Sequence, residues 1–272
     1  MRRDLERDVV GRRIKATEVK GTKNAMRVIR RHAKRRDFTS RLDGRKIAKV
    51  ERRGKYLLLQ LDSGDVLVVH FGMSGQLQRG TGRVPLAPHT HVVFTFQQGG
   101  DLRFTDPRTF GELFMATSDE VGKAKELQHI AIDPLDQVFT WPTFQYLLAQ
   151  RGAKMKQLLM DQKFISGLGN IYSDEVLFHA GIRYDRLSDT LSSQEVRRLY
   201  RTIQEILQDA IKARGTTLDD DAYVDLFGKP GEYQHELKVY GRQGIACRRC
   251  RTPIQTVKIS QRNCYFCPQC QS

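Results

Sequence analysis

The sequence predicts an α+β fold in which an antiparallel β-sandwich is followed by a helical domain and a terminal zinc-binding β-hairpin. Short β-branched or aromatic runs broken by Gly and Asp fill the first half of the chain. From about residue 118 the apolar residues instead recur with a helical period. Four cysteines lie near the carboxyl end. We therefore divide the chain into four regions, 1–117, 118–214, 215–236 and 237–272.

Short strands at regular spacing, without long helices between them, indicate a sandwich of antiparallel sheets. Residues 2–10, before the first strand, fit the end of a helix. The segment Gln97-Gln98-Gly99-Gly100-Asp101 has the composition of a hairpin turn. The predicted strands are Arg13–Val19, Lys46–Glu51, Tyr56–Leu61, Val66–Phe71, His91–Phe96, Leu102–Thr105 and Glu112–Ala116.

Two helices are predicted in the second half from their start and stop signals. Ser192-Ser193-Gln194-Glu195 forms a capping box, and the helix that follows should end at Gly215. A second helix should run from Asn170 to Ala180 and stop at Gly181. The segment 215–244 is rich in Gly and Asp and should be mostly loop.

The four cysteines Cys247, Cys250, Cys267 and Cys270 form two C-x2-C pairs separated by sixteen residues. This is the ligand spacing of a four-thiolate zinc site, and the residues between the pairs suffice for a short β-hairpin. We expect one structural Zn²⁺ in a reducing cytosol, with two disulfides as the alternative. Cys264, three residues before Cys267, is expected to be a small strand residue outside the metal shell.

Charge is concentrated at the two ends of the chain. The net charge is +15, and residues 1–60 contain 21 Lys and Arg against 7 Asp and Glu. Residues 237–272 contain 7 basic residues and no acidic ones. A single solvated face would explain one basic run, but not a cysteine hairpin without a carboxylate. The distribution therefore favours nucleic acid as the partner.

Membrane and export signals are not recognised in the sequence. It contains no apolar run of 18 residues, and Met1-Arg2-Arg3-Asp4-Leu5 lacks the apolar core of a signal peptide. We expect a cytoplasmic protein that acts as a monomer and does not bind membranes.

Six local sequences, the cysteine motif among them, resemble those of bacterial formamidopyrimidine-DNA glycosylases, the repair enzymes for oxidised purines. The resemblance extends from Arg2 to Gln271. It adds a helix–two-turn–helix element to the expected helical domain. The six sequences are Arg52-Arg53-Gly54-Lys55-Tyr56, His70-Phe71-Gly72-Met73-Ser74-Gly75, Asp106-Pro107-Arg108-Thr109-Phe110-Gly111, Leu159-Met160-Asp161-Gln162, Gly167-Leu168-Gly169-Asn170-Ile171-Tyr172 and the finger itself.

By this resemblance, three residues fill the space left when a damaged base is extruded from the duplex. They are Met73, Arg108 and Phe110, and each lies in a polar loop flanked by glycine. In isolation, Met and Phe would be expected in a core, so their setting favours the wedge role. The remaining DNA-contacting residues implied by the resemblance are His89, Arg151, Lys156 and Asn170.

The Gly-rich sequence before Asn170 leaves free backbone N–H groups at a helix start, which suits a phosphate, although an ordinary helix entry has the same composition. The resemblance makes Lys55 the proton donor in β-elimination and Arg262, at the hairpin tip, the residue for δ-elimination and phosphate contact. It identifies 216–240 as the segment that covers the extruded base. The run Asp219-Asp220-Asp221 makes that segment more acidic than expected beside DNA.

The family sequence opens with Pro-Glu-Leu-Pro-Glu-Val-Glu, whose proline amine is the nucleophile and whose first glutamate is the acid. The resemblance in this chain starts about nine residues later, at Met1-Arg2-Arg3. The Met1 amine would lie on the order of 10 Å from the required position. We expect that the start codon lies upstream of Met1. The alternative is a protein that has lost its nucleophile.

The predicted function is therefore that of a bifunctional glycosylase and abasic-site lyase acting on double-stranded DNA with oxidised bases or abasic sites. Its substrates would be 8-oxoguanine and formamidopyrimidines. Two alternatives stay open at this point. One is an endonuclease VIII-like glycosylase for oxidised pyrimidines, and the other is a non-catalytic zinc protein that binds damaged DNA.

Overall fold

A computed structural model describes residues 1–135, 138–219 and 222–272 of the protein. It contains two compact units. Unit 1 consists of Met1–Gln128 together with Arg214–Gly231, and unit 2 consists of His129–Ala213 together with Glu232–Ser272. The region predicted to run from 215 to 236 is thus divided between the two units.

Unit 1 contains two four-stranded antiparallel sheets, which confirms the predicted sandwich. One sheet has the order β1-β6-β7-β5 and the other the order β2-β3-β4-β8. The strands are β1 (Ile14–Val19), β2 (Ile47–Arg53), β3 (Tyr56–Leu61), β4 (Asp65–His70), β5 (Gln76–Gly80), β6 (Thr90–Phe96), β7 (Asp101–Thr105) and β8 (Glu112–Thr117).

The hydrophobic core of unit 1 is formed by apolar side chains from both sheets, including Leu59, Val69, Phe94 and Phe104, all at most 1% exposed. Strand β5 was not among the predicted strands, because Gln76–Gly80 contains one apolar residue and shows no alternation. Its pairing with β7, rather than its own sequence, makes it a strand.

Five short helices lie in the described part of unit 1. They are α1 (Arg2–Val9), α2 (Lys23–Val28), α3 (Arg35–Thr39), α4 (Ser118–Lys123) and α5 (Lys125–Gln128). Helix α1 buries Leu5 and Val9 in the core, as expected for the predicted end of a helix over residues 2–10. The segment Arg214–Gly231 also contributes to this core through Leu226, which is 0% exposed.

Unit 2 contains the helices α6 (Trp141–Ala149), α7 (Met155–Met160), α8 (Asn170–Ala180) and α9 (Ser193–Lys212). Both predicted helices are present. Helix α8 ends at Gly181 in the left-handed conformation, and α9 begins with the capping box at Ser192. Helix α9 stops three residues before Gly215, because Arg214 already adopts a positive φ of 60°.

The cysteine region of unit 2 forms a β-hairpin, as predicted. Its strands are β9 (Gln255–Ile259) and β10 (Arg262–Phe266). The turn is formed by Ser260 and Gln261, both with positive φ, as a two-residue turn requires. Arg262 is therefore the first residue of β10, paired with Ile259, and does not occupy the tip itself.

Among the described residues, no helix is long and apolar enough to cross a membrane.

Candidate nucleic-acid interface and metal centre

Two loops of unit 1, residues 71–75 and 106–111, are held together by one buried carboxylate, and we call them the wedge loops. Asp106 is 0% exposed. Its Oδ1 accepts hydrogen bonds from Ser74 Oγ at 2.5 Å and from the Arg108 N–H at 3.2 Å. Its Oδ2 accepts one from the Gly111 N–H at 2.7 Å. The carboxylate thus fixes the backbone of both loops from inside.

Glycine allows the two wedge loops to approach each other backbone to backbone. A Cβ atom on Gly72 would lie 2.6 Å from the carbonyl carbon of Phe110, and Gly72 has a φ of +62°. Arg30 adds a further tie, because its guanidinium donates to the Gly111 carbonyl at 2.7 Å. The sequence at 72 therefore has to be glycine for two independent reasons.

Phe71 packs against the core, but one apolar side chain on each of these loops is exposed. Met73 is 62% exposed and Phe110 is 53% exposed. The Arg108 guanidinium carbon lies 5.2 Å from the centroid of the Phe110 ring, within cation–π range. A flexible apolar chain, an aromatic ring and a cation on rigid loops are the groups needed to enter and fill a gap in a base stack.

His89 is connected to the same loops through its backbone. Its side chain is exposed, its φ is 61°, and its carbonyl accepts a hydrogen bond from the Asp106 N–H at 3.1 Å. The structure thus brings His89, Met73, Arg108 and Phe110 to one region of unit 1.

Lys55 lies beside this region, in the turn between β2 and β3. Gly54 adopts a positive φ of 57° and Lys55 is exposed. The next residue, Tyr56, pairs with His70, and their rings lie 4.6 Å apart. Burial lowers the pKa of His70, and the positive charge of Lys55 lowers it further. The amine of Lys55 is therefore electrostatically coupled to the histidine that precedes the Met73 loop.

In unit 2 the turn that precedes α8 is closed by one side chain, Gln162. Its Nε2 donates to the Leu168 carbonyl at 3.0 Å, and its Oε1 accepts from the Gly167 N–H at 3.0 Å. Asn170 is the first residue of the 11-residue helix α8, so the positive end of the helix dipole lies at this turn. This geometry suits an anionic oxygen such as that of a phosphate.

Lys156 differs from the sequence-based expectation of a direct phosphate contact. It is 0% exposed, and its Nζ lies 2.7 Å from Asp174 Oδ1. The same ammonium donates to the Asn170 carbonyl at 2.8 Å and to Ser173 Oγ at 2.7 Å. Three donors with three internal acceptors leave Lys156 without a hydrogen for DNA.

The other two predicted cations of unit 2 are exposed. Arg151 follows helix α6, and Arg262 begins β10. Arg262 Nη1 lies 3.8 Å from Met160 Sδ at the end of α7. The Asn170 amide donates to the Asn263 carbonyl at 3.0 Å, so the hairpin turn is attached to the start of α8.

The four cysteine sulfurs form a site that fits one zinc ion. All four lie within 4.8 Å of one another, with Cys247 and Cys270 3.9 Å apart and Cys250 and Cys267 3.4 Å apart. Zn–S bonds of about 2.3 Å in a tetrahedron place sulfurs about 3.8 Å apart. Cys264 lies outside this set, and its thiol donates to Asp174 Oδ1 at 3.1 Å.

Three acidic residues that position these groups were not predicted from the sequence. Besides Asp106 and Asp174 these include Glu175, whose carboxylate accepts the N–H groups of 238, 239 and 240 at 2.9 Å each. An available signal was the position of two adjacent carboxylates in α8, a helix with apolar residues on every side. Such a helix is buried, so its carboxylates need internal donors.

Comparison with known proteins gives consistent matches along the chain. The model of the formamidopyrimidine-DNA glycosylase N-terminal domain matches residues 1–113, and that of the H2TH domain of the same enzymes matches 130–221. The model of the zinc finger found in FPG and IleRS matches 244–272.

Formamidopyrimidine-DNA glycosylase of Pelotomaculum thermopropionicum is 41% identical, over 100% of this chain and 96% of its own. That of Heliobacterium modesticaldum is 44% identical, over 86% and 85%. The solved structure of MutM (Fpg) from Thermus thermophilus has 34% identity and a TM-score of 0.87, covering 99% of this chain and 95% of its own. Lactococcus lactis Fpg in complex with DNA containing an abasic site has 32% identity and a TM-score of 0.90, covering 100% and 96%. The chain therefore belongs to the formamidopyrimidine-DNA glycosylase family of base-excision repair enzymes.

Proposed function

We propose that this protein removes oxidised purines, 8-oxoguanine and formamidopyrimidines, from double-stranded DNA and then cleaves the abasic site by β- and δ-elimination. The observation that carries the proposal is the pair of wedge loops. Exposing Met73 and Phe110 to water has a solvation cost, and the buried Asp106 holds both loops so that they cannot fold inwards. Such a surface loses its contact with water when a base stack receives it.

The roles of the individual groups follow from their chemistry. Met73 and Phe110 enter the stack when the damaged nucleotide leaves it, and Arg108 donates hydrogen bonds to the base that has lost its partner. His89, Arg151 and the start of α8 at Asn170 hold the phosphates around the gap.

Lys55 and Arg262 are the proposed catalytic residues. Lys55 donates a proton during β-elimination, and Arg262 binds the phosphate that leaves in δ-elimination. In the family pattern the nucleophile is a proline amine that attacks C1′ of the damaged nucleotide, with an adjacent glutamate as acid. The zinc ion, when bound, holds the hairpin that carries Arg262.

The known structures of a relative support DNA as the partner. Lactococcus lactis Fpg has been solved with DNA containing an abasic site and with DNA containing Fapy-dG. We propose that this chain binds the same kinds of DNA as a monomer, on the bacterial nucleoid in the cytoplasm.

Borohydride trapping on duplexes tests this function directly, because it converts a Schiff base between an amine and C1′ into a stable adduct. Two polypeptides are compared, the 272-residue chain and the same chain extended by Pro-Glu-Leu-Pro-Glu-Val-Glu. The substrates are duplexes with 8-oxoguanine, an oxidised pyrimidine or an abasic site.

The extended chain should form an adduct with 8-oxoguanine DNA, because it carries the proline amine that the family pattern uses as the nucleophile. A preference of the extended chain for the oxidised pyrimidine would favour the endonuclease VIII-like alternative. Binding without any adduct in either chain, and without preference for damage, would overturn the proposed function in favour of a non-catalytic zinc protein.

A further inference from the structure

A buried carboxylate in helix α8, that of Asp174, contacts three residues in two other elements of unit 2, strand β10 and helix α7. Its Oδ2 accepts a hydrogen bond from the Tyr265 N–H of β10 at 3.0 Å. Its Oδ1 accepts one from the Cys264 thiol at 3.1 Å and lies 2.7 Å from Lys156 Nζ of α7. Asp174 is 1% exposed, so solvent supplies none of these interactions.

Lys156 extends this arrangement to the start of the helix. Its ammonium donates to the carbonyl of Asn170, the first residue of α8. The Asn170 side chain in turn donates to the Asn263 carbonyl next to the hairpin turn. Four positions are thereby linked through Asp174: helix α7, the N-terminus of α8, strand β10 and the hairpin turn.

The chain segment held in this way contains Arg262. Tyr265, Cys264 and Asn263, each bonded directly or indirectly to Asp174, are the three residues that follow it. Arg262 has no such buried anchor among the described contacts and lies at the exposed start of β10. Its position relative to Asn170 is therefore set by the residues behind it.

We propose that Asp174 is a positioning residue for DNA binding: it fixes the zinc hairpin to the N-terminus of α8, so that Arg262 and Asn170 meet the same phosphate backbone. Asp174 itself never touches DNA. This inference rests on the proposed function, because it takes Arg262 and Asn170 as DNA-binding groups.

The chemistry of the site requires both carboxylate oxygens. An asparagine at this position has one acceptor oxygen and one NH2 group. Whichever way the amide turns, its NH2 faces either the Tyr265 N–H or the Lys156 ammonium, which are themselves donors. Burial also lowers the pKa of Lys156, and the Asp174 carboxylate counters part of that effect. Asp174→Asn therefore breaks the link although it conserves volume.

The sign of the change in DNA affinity distinguishes a positioning role of Asp174 from the effect of its charge alone. Removing a negative charge makes the protein more positive, which by itself strengthens binding to a polyanion. Loss of positioning weakens it. Asp174→Asn is compared with Glu205→Gln, which removes the same charge from the exposed face of α9, and with Cys264→Ser, which keeps a donor to Asp174.

The experiment measures the dissociation constant of the 272-residue variants for a duplex carrying an abasic-site analogue, across a range of salt. Zinc content and Tm are recorded for each. We expect Asp174→Asn and Arg262→Ala each to weaken binding about tenfold and to flatten the salt dependence by about one unit. The double variant should bind no more weakly than Arg262→Ala alone. The two control variants should bind at least as tightly as the unaltered chain.

If the Asp174→Asn protein loses zinc, the double variant Lys156→Met/Asp174→Leu is measured in its place. This variant removes both charges of the buried ion pair, so neither charge is left buried without a partner. Unchanged binding by a zinc-loaded Asp174 variant would overturn the inference. So would a double variant whose loss of affinity equals the product of the losses of the two single variants. A chain in which Arg262→Ala itself binds normally would instead contradict the proposed role of Arg262.

Discussion

At residue 72 the lack of a side chain determines how closely the two wedge loops approach. Gly72→Ala would place a Cβ 2.6 Å from the Phe110 carbonyl carbon, at a φ of +62°. The left-handed conformation alone costs about 1–2 kcal/mol for a residue with a side chain. We expect a lower Tm, because the 106–111 loop has to move. We also expect a smaller ratio of affinities for abasic-analogue over intact duplex.

Gly82→Ala is the matched control, because a Cβ there meets nothing within 4 Å. Thermal unfolding and binding to the two duplexes are measured for both variants. A Gly72→Ala protein with the Tm and lesion preference of the Gly82→Ala protein would contradict the close approach of the loops.

The histidine in α8 gives a second prediction at this scale, for the pH dependence of stability. Burial, reinforced by Arg249 and Lys238, lowers the pKa of His179 from 6.5 to about 4. Between these values the unfolded chain binds the proton and the folded protein does not. Stability is therefore complete above pH 6.5 and falls as the pH drops from there toward 4.

After allowance for solvent screening of this partly exposed group, we expect a loss of about 1 kcal/mol between pH 7 and pH 5. His179→Gln should show a smaller fall in Tm across this range than the unaltered chain. His129→Gln, at an exposed position of the same unit, should behave like the unaltered chain. Identical pH profiles for all three proteins would contradict the role of His179.

The placement of some site residues could be predicted from the sequence, and that of others could not. Met73, Arg108 and Phe110 lie in the polar, Gly-flanked loops that the sequence predicts. Glycine and Asp106 hold these loops together, and both are visible in the local sequence. The burial of Lys156 could not be predicted, since its partner Asp174 is eighteen residues away. Only the packing of α7 against α8 brings the two charges together, and a pattern of neighbours along the chain contains no such information.

At the scale of elements, we expect the zinc hairpin to depend on its metal more than on its core. Its buried apolar residues are few, with Ile254 and Val239 packed against Phe178 of α8. We therefore expect Cys267→Ser to lose zinc, a large part of the finger's folding free energy, and most DNA affinity.

Cys264→Ser is the control for this prediction, because Cys264 contacts Asp174 rather than the other sulfurs. It should retain one zinc per chain and normal binding. Metal analysis of protein purified without chelator, together with DNA titration, checks both variants. Zinc retained by Cys267→Ser would show that the four-cysteine assignment is incorrect.

The predicted elements were those with signals inside their own sequence. Helix α9 has a capping box and a continuous apolar face, and α8 ends at a glycine that can adopt a positive φ. The predicted strands have β-branched or aromatic runs. Strand β5 was not predicted, because it depends on its pairing with β7. Helix α9 was predicted to reach Gly215 but ends at Lys212, because the positive φ of Arg214 does not fit a helix.

For the molecule as a whole, the charge distribution predicts DNA binding that weakens steeply with salt. Arg151→Ala should weaken binding to damaged and intact duplexes alike and flatten the salt dependence by about one unit, through the loss of one phosphate contact. Met73→Ala should leave the slope unchanged and reduce the preference for damaged DNA. The measurement is a salt titration with both duplexes. Equal weakening on both duplexes by Met73→Ala would refute the wedge assignment.

The path of the chain through residues 214–231 has a consequence for evolution and engineering. The chain leaves unit 2 after Ala213 and re-enters it at Glu232, and the Glu232 N–H donates to the Ala213 carbonyl at 2.8 Å. The two ends of the excursion are therefore fastened to each other. Lengthening the segment between them adds only a small closure entropy. Because Leu226 of this segment is buried in the core of unit 1, a lengthened or redesigned segment has to keep that anchor, and with it kept we expect the helices and the finger of unit 2 to retain their fold.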